Sequence, residues 1–551
     1  MKKGVSSTKW IFDKTSGQKF NFVLLVLFNA IFSSLTVAFA YVIKIVVDGA
    51  VDANMKMFTT GAILIVGLIV IQFVLRILIN GLSEHIRAKL EINFKSAIFS
   101  AILRKKYKKI TEYHSGELMN RLTGDVGVVS DGVATIIPTV VSSVVRLVCA
   151  VIVLCLIDWL FALAFMVAGL LVFLVTCLLR GKLKSLHKKA QSTEGKTRSF
   201  MQESIENVLA IKVFSVEDKT QKIAKDLQDE NFSVKMKRRN YSILGNATYN
   251  FIFSAGYIFA LIFGGFQIIG GAIGYGDLSA ILQLVNSVQV PFASLSGVLP
   301  KLYATLASAE RLMEIEDMEQ DDSSDRVDAF STYQSLKSIV AKDLTFSYDG
   351  VENVYQKAFF TLEKGKSIAI TGSSGIGKST IMKLLLGVYS PTSGSIYMQT
   401  ENGELEVSER TRSLFSYVPQ GNMLFSGTIR ENVAFVNPSA DDEKIAFALK
   451  VSCAEDFVSA LPEKENTYVG ENGTGLSEGQ VQRLAIARAV LCDAPIMLLD
   501  EATGSLDEQT EKRVIQNLLA LKDKTLMLVS HRRSAAEMCD IVVSVENKTF
   551  N

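Results

Sequence analysis

The chain has 551 residues, too many for one ordinary domain. Its 49% hydrophobic and 21% charged residues, with a mean hydropathy of +0.28, point to a membrane protein. A net charge of +2 leaves no basic excess to neutralise phosphates, which argues against a nucleic-acid partner, and six cysteines without metal-ligand spacing (Cys149, Cys155 and Cys177 in apolar runs) read as reduced thiols.

From the N-terminus, six long apolar stretches follow: 20–43, 57–75, 132–157, 159–179, 241–276 and 278–300. Each reaches the ~20 residues that a bilayer-spanning helix needs, and buried helices of a soluble core rarely run so long and so apolar. Arg146 is the one charge within them. The first stretch is too long for a cleaved signal peptide and lacks a small-residue cleavage site before a soluble domain. Lys and Arg number five before the first span, nine in 81–131 and fifteen in 180–240, but two in the loops 44–56, 158 and 267–277. Both termini and both long connections therefore face the cytoplasm.

Those connections keep a helical mix of apolar and charged residues over 81–112 and 182–240, as spanning helices prolonged into the cytoplasm. Each is broken once, at "YHSGELMNRLTGDV" (113–126) and "NVLAIKVFSVEDK" (207–219), where short helices are expected across the ends of the long ones. The polar stretch "EDMEQDDSSDRVD" (316–328) reads as a linker, and from about 337 short β-rich runs alternate with helices. The expected division is a membrane region over 1–315, a linker over 316–336 and an α/β nucleotide-binding domain over 337–551.

"KSIAITGSSGIGKSTIMKLLL" (366–386) places a glycine-rich turn between a strand and a helix, the context of a phosphate-binding loop. The candidate set is Gly372, Ser373, Ser374, Gly375, Ile376, Gly377, Lys378, Ser379 and Thr380. The glycines let backbone N–H groups curl around phosphates, Lys378 reaches the β- and γ-phosphates, and Ser379 supplies an oxygen to Mg²⁺. A second apolar strand, "PIMLLDEAT" (495–503), ends in two acids. Asp500 suits a Mg²⁺ ligand and Glu501 suits the polarisation of an attacking water, although acids ending a strand are also simply solvated. "TGLSEGQVQRLAIARAVL" (474–491) opens a polar turn onto a helix with Arg483 and Arg488 on it, a ready anion site.

With these motifs in this order, the chain resembles an ATP-binding-cassette (ABC) exporter half-transporter over residues ~20 to ~545. The resemblance implies a helical membrane domain with six spanning helices and a P-loop ATPase domain. It makes Tyr348 in "LTFSYDG" the aromatic that stacks on adenine, and Gln420 in "YVPQGNMLFSGTIRENV" the glutamine that touches Mg²⁺ and the attacking water. "TYVGENG" (467–473) is similar to the exporter loop before the signature, and Leu476 to Gln480 to the signature itself, with Ser477, Gly479 and Gln480 on ATP. Ser505, Leu506 and Asp507 match the loop after the acids, Asp507 being taken as a nucleotide contact, and His531 matches the histidine on the γ-phosphate. Catalysis would rest on Glu501, His531, Gln420 and Lys378, and the metal on Ser379, Gln420 and Asp500. In the family the signature serves ATP bound on the opposite subunit, so two chains must pair, a homodimer being favoured, and the two cytoplasmic breaks match the coupling helices.

Two departures stand out. Glu478 occupies a position that is usually Gly; at a helix N-terminus and turned outward it would be stabilised by the dipole. The C-terminal extension common in exporters is expected to be short or missing, and no peptidase-like domain is expected before the first span. The expected function is ATP-driven export of a small molecule, lipid or peptide across a bacterial cytoplasmic membrane by alternating access. An ATP-gated channel on the same fold is the alternative. The spans exclude a soluble DNA-handling ATPase. An importer is disfavoured, since its cassettes are usually separate polypeptides. Polar stripes at Gln72, Arg76 and Asn80, at Ser142, Arg146 and Cys149, and at Asn286, Gln289 and Ser296 suggest a shared aqueous cavity.

Overall fold

The computed structural model describes residues 7–321, 326–421, 424–470 and 473–550, apart from the side chains of 168, 170, 172–180, 183, 184 and 296. The side chains of Cys177 and Ser296, part of the linker and residues 471–472 before the signature thus lie outside the described residues. The chain forms two compact units, Met1–Ile102 with Ser115–Asp317, and Leu103–His114 with Met318–Asn551.

The first unit is helical: α1 Ser7–Lys14, α2 Lys19–Val51, α3 Met55–Leu103, α4 Tyr107–Thr111 (which belongs to the second unit), α5 Ser115–Asn120, α6 Val126–Ile157, α7 Trp159–Glu206, α8 Val208–Val213, α9 Glu217–Ile269 and α10 Tyr275–Asp317. All six expected spans lie inside these helices, except that α9 ends at Ile269 and residues 270–274 form the turn to α10. Five of the helices are long and apolar enough to cross a membrane among the described residues; the stretch 159–179 belongs to α7, many of whose side chains fall outside them. At ~1.5 Å per residue, the 49 residues of α3 and the 53 of α9 run about 70–80 Å, far beyond a ~30 Å hydrocarbon core. The turns opposite the two long connections are short; beside them Lys44 of α2 pairs with Asp277 of α10 at 2.5 Å, and Asp158 accepts from Leu160 N at 2.8 Å, capping α7.

The breaks in the two long connections differ from each other. Residues 207–219 break as expected, with the short α8 and a turn in which Ser215 has φ +52. The first break lies upstream of the expected 113–126. Its short helix is α4, while 115–125 pass through α5 and a π-helical turn, Arg121–Asp125, directly into α6. The reason is electrostatic. Asp125, 3% exposed, takes the Arg311 guanidinium and the Ser308 hydroxyl, and Arg121, 5% exposed, donates to the Arg311 carbonyl and to Glu314. Those pairings fasten 121–125 to α10, so the segment cannot lie across the helix end.

The second unit is an α/β cassette. Its strands are β1 Leu336–Phe346, β2 Tyr355–Glu363, β3 Ser367–Thr371, β4 Ser393–Thr400, β5 Gly403–Glu406, β6 Phe415–Val418, β7 Gly427–Thr428, β8 Tyr468–Val469, β9 Ile496–Asp500, β10 Thr525–Val529, β11 Ile541–Glu546 and β12 Thr549–Phe550. A six-stranded sheet runs β12-β11-β3-β10-β9-β6, parallel from β11 to β6, and an antiparallel sheet runs β2-β1-β4-β5. Strands β3, β9 and β10 are apolar except at their ends and almost wholly buried, as parallel strands covered on both faces must be. Their register aligns Ile370, Val529 and Asp500, so three strands end together, and sites in open α/β sheets form at such carboxyl ends.

Candidate functional site

The loop after β3 opens onto the helix Lys378–Leu385, capped by Gly377. Gly377 has φ +112, and a Cβ there would lie 2.4 Å from Val354 Cγ1; at Gly372, φ +142, it would lie 2.9 Å from Val545 O. Side chains at either place would open the loop. Ser373, Ser374 and Gly375 form its exposed tip. Lys378 is 5% exposed and its ammonium donates to the carbonyls of Gly372 and Ser373, both at 3.0 Å. Burial lowers its pKa, while Glu501 and Asp500 oppose that shift. The ammonium therefore lies over the nest of backbone N–H groups, where phosphate oxygens would compete for it.

Asp500 ends β9 and is 1% exposed. Ser379 Oγ donates to its Oδ1 at 2.8 Å and Tyr417 OH to its Oδ2 at 3.1 Å. Desolvation raises its pKa, against the pull of those two hydroxyls. A buried carboxylate with hydroxyl donors and no ion pair among the described residues is a hard oxygen set short of positive charge, which fits Mg²⁺.

Glu501 lies one residue further, and both its oxygens are engaged: Gln420 Nε2 donates to Oε2 at 2.6 Å, and His531 Nε2 lies 2.7 Å from Oε1. Its backbone is in the left-handed region at φ +50, uncommon for a residue with a Cβ and of the kind that gathers at functional sites. Glu501 N donates to Val529 O and Gly504 N to Glu501 O, both at 3.2 Å, which holds that conformation. Two other segments thus converge on one carboxylate. Gln420 was also expected on the metal; its amide goes to Glu501, and no described contact brings it to Asp500 or Ser379.

Tyr348 is 41% exposed, with its hydroxyl 3.1 Å from Thr380 Oγ1 and its ring edge-on to Tyr389 at 5.1 Å. The signature opens the helix Glu478–Leu491. Ser477 and Gln480 form a capping box, Gln480 Oε1 accepting from Ser477 N at 2.9 Å, and Glu478 is exposed at the first helical position. Among the described residues no hydrogen bond joins 476–480 to 372–380. Arg483 and Arg488 serve the fold rather than an anion. Arg483 donates to Cys453 O at 2.8 Å and lies over Phe457, and Arg488 donates to Asn432 O at 2.8 Å. Asp507 caps the helix Glu508–Leu519, and the Thr510 backbone N–H holds its carboxyl below the usual range.

Two supports escaped the sequence reading. Gln482 and Ser505 exchange hydrogen bonds at 3.0 and 3.2 Å, tying the signature helix to the loop after the acids, and a Cβ at Gly479 would meet Ser505 O at 3.0 Å. Arg532 reaches Glu511 at 2.7 Å and the carbonyl of Leu506 at 2.8 Å, beneath the same loop. A signal was present in the basic residue directly after His531, but its partner cannot be read from spacing.

In the membrane unit, Arg146 has a buried Nε without a hydrogen-bond partner and forms no ion pair among the described residues. The stripe on α3 is divided: Gln72 donates to Leu35 O in α2 at 3.2 Å, whereas Arg76 is exposed.

Comparison with known proteins agrees with this layout. The model of the ABC transporter transmembrane region matches residues 22–292, and the ABC transporter model matches 355–504. The "ATP-dependent lipid A-core flippase" of Syntrophus aciditrophicus is 27% identical over 517 residues, 93% of this chain and 85% of its own. The "Probable ABC transporter ATP-binding/permease protein" of Haemophilus influenzae is 30% identical over 495 residues, 86% of each chain. A solved bacterial Atm1-family ABC exporter with ATP bound has the same fold, with a TM-score of 0.84 at 21% identity over 97% of this chain and 95% of that one.

Proposed function

Since the chain belongs to the ABC transporter family, as an exporter half-transporter, we propose that two copies of it pair in a bacterial cytoplasmic membrane and use ATP to export an amphiphilic cargo with an anionic group. The observation that carries the ATPase reading is the convergence of Gln420 and His531 on Glu501, at the strand end next to the phosphate loop.

The backbone N–H groups of 373–379 and the Lys378 ammonium bind the β- and γ-phosphates, and Tyr348 offers its ring to the adenine. Ser379 and Asp500 would hold Mg²⁺, which neutralises phosphate charge when bound. Glu501 accepts the proton of the attacking water, with His531 and Gln420 keeping its two oxygens in place. Ser477, Gly479 and Gln480 of one copy close on the γ-phosphate held by the other. ATP binding draws the cassettes together, and the cytoplasmic breaks pass that movement to the spans, which switch from inward- to outward-facing.

Arg146 supports the anionic cargo. It lies twelve residues before Asp158, about 18 Å at ~1.5 Å per residue, near the middle of a ~30 Å core. A charge at that depth costs several kcal/mol unless it meets water or a partner. The test is ATPase activity in lipid vesicles with a panel of anionic and cationic amphiphiles. Arg146→Ala should weaken stimulation by the anionic members by about tenfold in half-saturating concentration, as for loss of one charged contact, and leave basal activity intact. Equal loss of basal and stimulated activity makes Arg146 a packing residue instead.

A further inference from the structure

Beneath α1 the membrane unit forms a half-open cavity of about 200 Å³, bounded by α1, the first turn of α2, and α3, α6 and α10. It is larger than the ~150 Å³ apolar cavity that takes up benzene. Leu90, Ile136, Leu302 and Leu306 give it walls of carbon. The hydroxyl of Thr305, which also lines it, is already bonded to the carbonyl of Lys301 at 2.9 Å. The space cannot close by helix movement. At Gly132 an added Cβ would fall 2.0 Å from Thr305 Oγ1, so α6 and α10 are already in contact beside it. The roof is fixed too: Trp10 Nε1 donates to Glu316 at 2.8 Å, Lys14 pairs with the same carboxylate at 2.7 Å, and the Trp10 ring stacks on Phe94 at 5.4 Å. A half-open chamber with rigid carbon walls offers dispersion contacts that favour an apolar occupant.

The mouth identifies that occupant. Lys19 begins α2, at the cytoplasmic boundary of the first span, and lines the cavity. Its ammonium lies 5.1 Å from the centre of the Phe12 ring and meets no carboxylate among the described residues. Phe12 itself is 62% exposed. A carbon-lined chamber with an unpaired cation at headgroup depth complements an acyl chain joined to a phosphate, and the cytoplasmic leaflet is rich in anionic lipids. We propose that this cavity binds one acyl chain of an anionic membrane lipid, with the lipid phosphate on Lys19. The site is separate from Arg146, which lies nine residues beyond Ile137 on α6, about 14 Å at ~1.5 Å per residue.

The test is photolabelling of the full chain in phosphatidylcholine vesicles carrying a trace of phosphatidylglycerol with a diazirine near the end of one acyl chain, read by peptide mass spectrometry. Peptides holding 133–137 and 302–306 should be labelled, about fivefold more by this probe than by the same probe on phosphatidylcholine, the preference that one lysine confers at an anionic surface. Lys19→Gln should remove that preference. Ile136→Trp, which fills the chamber, should abolish the labelling, with basal ATPase activity reporting an intact fold. If Ile136→Trp loses that activity, the headgroup preference and its loss in Lys19→Gln decide alone. Equal labelling by both probes, or labelling unchanged by the variants, overturns the proposal in favour of ordinary surrounding lipid. Absence of label from these peptides overturns it in favour of a packing void.

Discussion

Glu501→Gln is expected to lower ATP turnover by ~10²–10⁴-fold, the usual loss with a general base, while ATP still binds and the cassettes stay closed on it. Glutamine keeps the length and shape of the side chain and can still bond to Gln420 and His531, the two groups 2.6 and 2.7 Å from the carboxylate. The left-handed backbone at 501 and its bond to Val529 O also remain. What is lost is the capacity to take a proton from water. Binding should persist because the phosphate-loop contacts, the Lys378 ammonium and the Ser379–Asp500 pair are untouched. Steady-state hydrolysis and retention of radiolabelled ATP on the purified protein check the two halves of the prediction. Turnover above about a tenth of wild type would mean that another group, or water alone, takes the proton.

The second large effect is expected at α8. Phe214→Asp should leave ATP hydrolysis running and reduce cargo moved per ATP by at least about tenfold, the loss expected when a buried aromatic anchor is replaced by a charge. Leu209, Val213 and Phe214 are 75%, 68% and 75% exposed within the chain. They belong to a connection with fifteen Lys and Arg, which is expected on the cytoplasmic side and away from lipid. An apolar patch in water marks a docking surface, and the place of α8 between α7 and α9 suits a contact that moves spans when a cassette moves. Transport and hydrolysis measured together in proteoliposomes give the ratio. An unchanged ratio would reduce this connection to a spacer.

How far the sequence was legible differs by region. Spans could be read from hydropathy, because lipid imposes one requirement on every turn of a helix. Only the ends moved, as at Ile269, where capping and the turn decide the boundary. The phosphate loop was legible because its constraint is local: glycines at positive φ and a lysine at one spacing. The strand order β11-β3-β10-β9-β6 was not, since it follows from pairings across up to about 170 residues that no local pattern encodes. Charged residues were the least legible. Asp125 and Arg121 hold a π turn against α10, and Arg483 and Arg488 bond carbonyls within the cassette. Sequence distinguishes a buried structural arginine from an anion ligand only when its partner is known.

Each ATP is expected to be shared between two copies of this chain, the phosphate loop of one facing the signature of the other. Disulfide trapping tests it most directly, with Ser374→Cys and Ser477→Cys placed in a Glu501→Gln chain whose native cysteines are replaced. With ATP present, a covalent dimer should form across the two copies, and without ATP it should largely disappear. A chain that binds ATP and yet gives no dimer, or that joins the two cysteines within a single copy, would rule out a shared site.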